Sequence, residues 1–131
     1  MNIVDSSGWL EFFSGGPNSK EFEIPLKDTS SLIVPVITIY EVFKVVLRER
    51  DENDALLIAA LMQKGTTVDL TINIAINASR LSLKYSLPMA DSIILSTALA
   101  YDCLIWTQDS DFKDIPNVIY HPKIKNFDDS N

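Results

Sequence analysis

The chain has 131 residues, 47% apolar and 22% charged, a globular composition that excludes a disordered chain. With one cysteine, Cys103, and one histidine, His121, it cannot form an internal disulfide, and zinc centres, Ser-His-Asp triads and Cys-His pairs are poorly supported. The net charge of −7 argues against a broad electrostatic grip on nucleic acid, suits a basic protein partner, and still allows a nuclease whose acids are neutralised by metal ions.

The length suggests one domain over residues 1–131, with a two- or three-layer core and a polar tail from about residue 121. The first residues show no basic region followed by an apolar run, and no uncharged apolar stretch approaches the roughly 20 residues needed to cross a bilayer. The expectation is a soluble, cytoplasmic protein without a signal peptide.

Ile3 and Val4 make a very short apolar strand ending on Asp5-Ser6-Ser7. Such a strand frays unless it lies inside a sheet covered on both faces. Gly8 to Phe13 reads as a short helix, stopped by Gly15-Gly16-Pro17-Asn18. Residues 19–27 are ambiguous: Phe22, Ile24 and Leu26 alternate, Pro25 interrupts, and a short helix fits equally well. Leu32 to Pro35 reads as a buried strand with its proline at the end. Thr38 has the look of a helix N-cap, with Glu41 at capping-box spacing and a helix to about Arg50.

Asp51 to Asp54 opens a helix to about Lys64, with Leu56, Leu57, Ala60 and Leu61 as its expected buried face and Gly65 as its cap. Thr66 to Leu70 is a short strand. Thr71 to Tyr85 is helical, with Ile72, Ala75, Ile76, Leu81 and Leu83 apolar. Met89 to Tyr101 is apolar nearly all round, which predicts deep burial. Leu104 to Thr107 is a strand, Gln108 to Phe112 a turn, and Asn117 to Tyr120 the last strand. Strands alternating with helices, without hairpin signals, predict an α/β fold: a parallel sheet with helices on both faces.

Most acids fall in polar runs, but four do not. Asp5 ends a buried strand. Glu41 sits inside the apolar run Val36 to Phe43. Asp91 lies in the first turn of the most apolar helix, and Asp109 follows the Leu104 strand, with Asp111 two residues on. All are at strand-to-loop or loop-to-helix junctions, which share one edge of a parallel sheet. Carboxylates gathered there raise one another's pKa, and a divalent cation removes the penalty. Oxygen-only ligands favour Mg²⁺ or Mn²⁺. The chemistry this suits is phosphodiester hydrolysis by metal-activated water.

Each acid also has a purely structural reading. Asp5, Thr38 and Asp109 could be helix caps, Glu41 a capping-box partner, and Asp91 a first-turn acid favoured by the helix dipole. The convergence of four on one edge is what favours a site. Ser6, Ser7 and Thr107 read as local caps or donors to the carboxylates. Cys103, Trp9 and Trp106 read as core, and His121 as a surface residue. Lys44, three residues after Glu41, could reach a phosphate, though a solvated lysine is the simpler reading.

The blocks Ile3-Val4-Asp5-Ser6-Ser7, Ile39-Tyr40-Glu41-Val42, Leu87 to Ile94 and Trp106 to Phe112, in this order and spacing, resemble a PIN domain, and in particular the VapC-type toxins of toxin–antitoxin pairs. The resemblance runs from Asn2 to about Tyr120. It implies a three-layer α/β/α sandwich with the first strand central, flanked by the second strand and the Leu104 strand. It also implies a Mg²⁺- or Mn²⁺-dependent ribonuclease, a homodimer, and a cognate antitoxin protein. By position, Asp5, Glu41, Asp91 and Asp109 match the acidic quartet that holds metal and catalyses, with Asp111 a possible fifth acid. Thr107 matches the supporting hydroxyl, and Gln108 stands where many relatives carry a basic residue. Two alternatives remain: a non-catalytic PIN-like scaffold, and an aspartyl-phosphate phosphotransferase using Asp5, for which a second acid near Asp5 is missing.

Overall fold

The computed structural model describes residues 1–125. The first strand, β1 (Asn2–Val4), pairs in parallel with β4 (Leu104–Thr107), placing Ile3 opposite Ile105, and β4 pairs with β5 (Val118–Tyr120). On the other side β2 (Ile33–Pro35) pairs in parallel with β3 (Thr66–Val68). A single parallel bridge between Asn2 and Leu32 joins the two sets. The order across the sheet is therefore β3-β2-β1-β4-β5, with β1 central.

Successive side chains of a strand face opposite sides, and β1 uses this with only two apolar residues. Ile3 packs with Ile94, Ile105 and Phe112 on one face, and Val4 with Phe22, Val34, Val42 and Met62 on the other. Both are fully buried. The strand is held at its ends as well, because Leu104 N–H donates to Met1 O and Asp5 N–H to Trp106 O. A central position, rather than its own length, keeps this segment in place.

The ambiguous stretch is a helix, α2 (Ser19–Lys27), following α1 (Ser6–Ser14). Pro25 falls near its end and turns its ring into the core. The next helix, α3 (Val36–Glu49), starts earlier than the sequence suggests: Pro35 occupies the N-cap position, and Thr38 is not the cap. Thr38 lies in the first turn, buried, and its hydroxyl donates to Pro35 O at 2.7 Å. The Thr38–Glu41 capping box therefore does not form, which leaves Glu41 available elsewhere. Val42 and Val46 are buried, with Ile39 and Phe43 packed beside them.

In α4 (Glu52–Met62) the cap is as expected, Asp51 accepting from Asp54 N–H, but the buried face is not. Ala55 and Met62 go inward with Ile58, whereas Leu56, Leu57, Ala60 and Leu61 face out. The run Ala55 to Met62 has no polar side to fix its orientation, so periodicity underdetermines which face is buried. Gln63, not Gly65, closes the helix. Gly65 is needed for close approach instead: a Cβ there would lie 2.9 Å from Leu32 O. The face of α5 (Ile72–Tyr85) also differs, since Ile74 and Ala78 are buried while Ile72 and Leu83 are 79% and 88% exposed.

Helix α6 (Met89–Tyr101) is buried without a break from Ser92 to Ala98. Its polar side chains are satisfied locally and by α5: Thr97 donates to Ile93 O, and Ser96 to Ile74 O. Cys103 is buried and unpaired. Among the described residues, no helix is long and apolar enough to cross a membrane.

Candidate metal centre

The parallel sheet delivers the ends of β1 and β4 and the starts of α1 and α6 to one edge. Asp5 follows β1 and caps α1, its Oδ1 accepting from Gly8 N–H at 3.0 Å and from the Ser7 hydroxyl at 2.7 Å. Its Oδ2 accepts from Thr107 Oγ1 at 2.6 Å. Gly8 is required where it stands, because a Cβ would meet Val4 Cγ1 at 2.5 Å and Phe22 Cδ1 at 2.8 Å. The turn that carries Asp5 is thus pressed directly onto the core.

Glu41 reaches the same edge from the second turn of α3, where its Oε1 accepts from the Ser6 hydroxyl at 2.5 Å. Asp91 sits in the first turn of α6, half-buried. Asp109 follows β4. Its backbone N–H donates to Thr107 Oγ1, and its carboxylate accepts from Asp111 N–H. Carboxylate oxygens of Asp91, Asp109 and Asp111 lie within 4.8 Å of one another.

The electrostatics tie the remaining acids to these three. Asp91 is pushed up to about 7, first by burial and then by the like charges of Asp109, Asp5, Glu41 and Asp111. Asp5 is pushed up to about 6 by burial, with Asp109 adding to it, against the opposing hydrogen bonds from Thr107, Ser7 and Gly8. The edge therefore holds more negative charge than it can keep at neutral pH without a counter-ion.

Ser6 and Ser7 are donors to carboxylates, on Glu41 and Asp5 respectively. Lys44 lies over the Tyr40 ring, 5.8 Å from its centroid. Gln108 is buried, its Oε1 accepting from Asn18 Nδ2 at 3.1 Å. Nothing in the local sequence marks Asn18 and Gln108 as partners, since 90 residues separate them. His121 is not a free surface residue. Its ring is stacked on Trp106 and set edge-on to Phe22, and its Nε2 is buried.

A family model described as PIN domain matches residues 3–118. The chain belongs to the PIN domain family. Its structural neighbours are VapC toxins of toxin–antitoxin complexes. A toxin–antitoxin complex from Klebsiella pneumoniae superposes with a TM-score of 0.78 at 24% identity, covering 95% of this chain and 100% of that one. VapC20 of Mycobacterium tuberculosis, a toxin that cleaves the sarcin-ricin loop, superposes with a TM-score of 0.72 at 12% identity, over 88% of this chain and 95% of that one. DNA-bound VapBC from Salmonella typhimurium gives 0.71 at 14% identity, over 92% and 96%. Among curated proteins, none matches the chain in sequence.

The donor set of this PIN domain suits a hard divalent cation. It offers carboxylate oxygens alone, three of them grouped within 4.8 Å, and like-charge repulsion that such an ion would relieve.

Proposed function

We propose that this PIN domain is a Mg²⁺- or Mn²⁺-dependent endoribonuclease, acting in the cytoplasm as the toxin of a toxin–antitoxin pair. The observation that carries the reading is the grouping of Asp91, Asp109 and Asp111 carboxylate oxygens within 4.8 Å of one another, at a half-buried Asp91 whose carboxyl is raised first by burial and then by four other acids from three separate parts of the chain. Charge repulsion of this kind costs stability, and a fold keeps it where it serves a ligand.

Asp91, Asp109 and Asp111 would hold the ion, with Asp5 and Glu41 completing the acidic edge. When bound, the ion supplies a Lewis acid that makes water a nucleophile near neutral pH and offsets charge on the leaving oxygen. The protein's own part is to fix the acids beforehand. Three donors hold Asp5, and Ser6 holds Glu41. Side chains held this way need little rearrangement when substrate arrives.

Structural neighbours crystallised with antitoxins support a cognate antitoxin as partner, and the charge of −7 favours a basic segment on it. A homodimer belongs to this reading through the resemblance to VapC-type toxins, and the exposed apolar side chains Leu57, Ile72 and Leu83 are compatible with it.

The deciding experiment is RNA cleavage by the purified protein with Mg²⁺ or Mn²⁺ against EDTA, in wild type and in Asp5→Asn and Asp91→Asn. Cleavage should need metal and be lost in both variants while the circular dichroism spectrum stays unchanged. Equal cleavage in EDTA, or by both variants, sinks the proposal. A native-state ligand raises melting temperature, so no shift in millimolar Mg²⁺ would favour a non-catalytic scaffold.

A further inference from the structure

Beyond β5 the chain runs on past the end of β4, close to Asp109. His121 N–H donates to Thr107 O at 2.9 Å, continuing the strand pairing by one residue. Pro122 O accepts from Asn18 Nδ2 at 2.9 Å. Asn18 is itself buried, donates from the same amide nitrogen to Gln108 Oε1, and donates its backbone N–H to Glu11 Oε2. A buried amide thus ties the loop after α1, the residue before Asp109, and the backbone at position 122 into one latch.

Lys123 is the next residue, and its place follows from that latch. It lines three adjoining clefts, each of which Gln108 also lines. One reaches Asp109 and Tyr120. A second, of about 390 Å³, runs between α1 and α3 to Ser7, the donor to Asp5, with Arg50 on its far wall. The third lies against Glu11 and Gly16. Lys123 therefore stands where the clefts meet, with Asp109 on one side and Ser7 on the other.

The two cations around these clefts differ. Arg50 is committed to Asp54, with Nε 2.7 Å from Oδ2. Lys123 has no ion pair among the described residues. An RNA strand approaching a chain of charge −7 needs a local positive anchor, since the overall field repels it. A lysine on a pinned backbone supplies a point charge suited to a phosphate.

We propose that Lys123 binds a backbone phosphate of the RNA strand beside the acidic cluster, and that the Asn18–Gln108–Pro122 latch positions it there. This rests on the nuclease reading above, and the test separates the two.

Binding of a fluorescent single-stranded RNA oligonucleotide would be followed by anisotropy at several salt concentrations, with Ca²⁺ present, and cleavage kinetics measured with Mg²⁺. Lys123→Ala should weaken binding and lower the slope of log K against log salt by about 0.7, the value for one lost phosphate contact on a single strand. KM should rise while kcat holds. Lys123→Arg should keep the wild-type slope, and Asn18→Ala, by releasing Pro122, should reduce it. Lys84→Ala, the same charge change on α5, should behave as wild type. An unchanged slope in Lys123→Ala, or an equal loss in Lys84→Ala, overturns the assignment. Wild-type protein that shows the Lys123-dependent slope but cleaves no RNA overturns the nuclease reading and leaves the phosphate contact standing. Cleaving wild type with an indifferent Lys123→Ala does the reverse, and wild type that neither binds nor cleaves overturns both.

Discussion

Thr107 and Asp5, 102 residues apart in the chain, share a hydrogen bond of 2.6 Å that joins the end of β4 to the end of β1. The same hydroxyl oxygen accepts from Asp109 N–H at 2.9 Å. One threonine side chain thus sets the spacing between two of the acids. Thr107→Val keeps the shape and removes both interactions. A bond to a charged group is worth about 1.5–3 kcal/mol, so denaturant unfolding should show a loss of that order. Cleavage should fall as well, because Asp5 and Asp109 would no longer be held to a common atom.

Asp5 and Asp91 should respond differently to the same isosteric change. Asp5 takes three donated hydrogen bonds in a buried setting, so Asp5→Asn presents an NH₂ to at least one donor and should lower the melting temperature while the protein stays folded at room temperature. Asp91 is raised chiefly by burial and like charges, so Asp91→Asn should raise the melting temperature of metal-free protein at pH 8. Both should cut cleavage roughly 100-fold or more, the scale of losing a preorganised charge-stabilising group. A fall in metal-free stability in Asp91→Asn would contradict the picture of mutual repulsion.

The pH dependence has a definite sign. Asp5 is raised to about 6 and Asp91 to about 7, against roughly 3.9 in an unfolded chain. The folded state therefore binds these protons more tightly than the unfolded state. Their stabilising contribution is complete below about pH 4 and is lost as pH rises through about 6 to 7. Metal-free protein should lose stability across that window, and the gain from Mg²⁺ should grow across it. Melting temperatures in EDTA and in Mg²⁺ from pH 5 to pH 8 would test this. A Mg²⁺ effect independent of pH would contradict it.

How much of this could be read from the chain depends on whether the signal was local. Asp5, Glu41, Asp91 and Asp109 stand out because each breaks an apolar run or ends one, and strand-helix alternation is enough to bring such positions to one edge. The burial of α6 was legible because almost every position agrees. The faces of α4 and α5 were not, since apolar residues surround both helices and only packing chooses Ala55 over Leu56, or Ile74 over Ile72. The start of α3 was missed because Pro35 takes the cap position and Thr38 bonds back to it, which the Thr-x-x-Glu spacing conceals. Contacts such as Ser6 to Glu41 and Asn18 to Gln108 span 35 and 90 residues, and no local pattern encodes them.

Gly8 links the core to the site more tightly than its size suggests. Gly8→Ala would place a methyl 2.5 Å from Val4 Cγ1 and inside contact distance of the Phe22 ring, both on fully buried residues. Overpacking of this kind costs about 1–3 kcal/mol. The turn must move to relieve it, carrying the N–H that holds Asp5. Stability and cleavage should therefore fall together, and addition of Mg²⁺ should recover only part of the lost melting temperature. Full activity in a destabilised Gly8→Ala protein would show that Asp5 does not depend on this turn.

His121 offers the opposite case, a residue whose removal should help. Its ring centroid lies 6.1 Å from that of Trp106 and 5.9 Å from that of Phe22, and its buried Nε2 finds no hydrogen-bond partner among the described residues. An unpaired buried polar atom costs about 1–3 kcal/mol. His121→Phe keeps the aromatic packing and removes that atom, while the backbone bond from residue 121 to Thr107 O is untouched. The variant should be more stable by about 1 kcal/mol in denaturant unfolding, with cleavage unchanged. His121→Asp places a charge between the same two rings and should unfold at lower denaturant. If His121→Phe were destabilised instead, Nε2 must have a partner that the aromatic ring cannot replace.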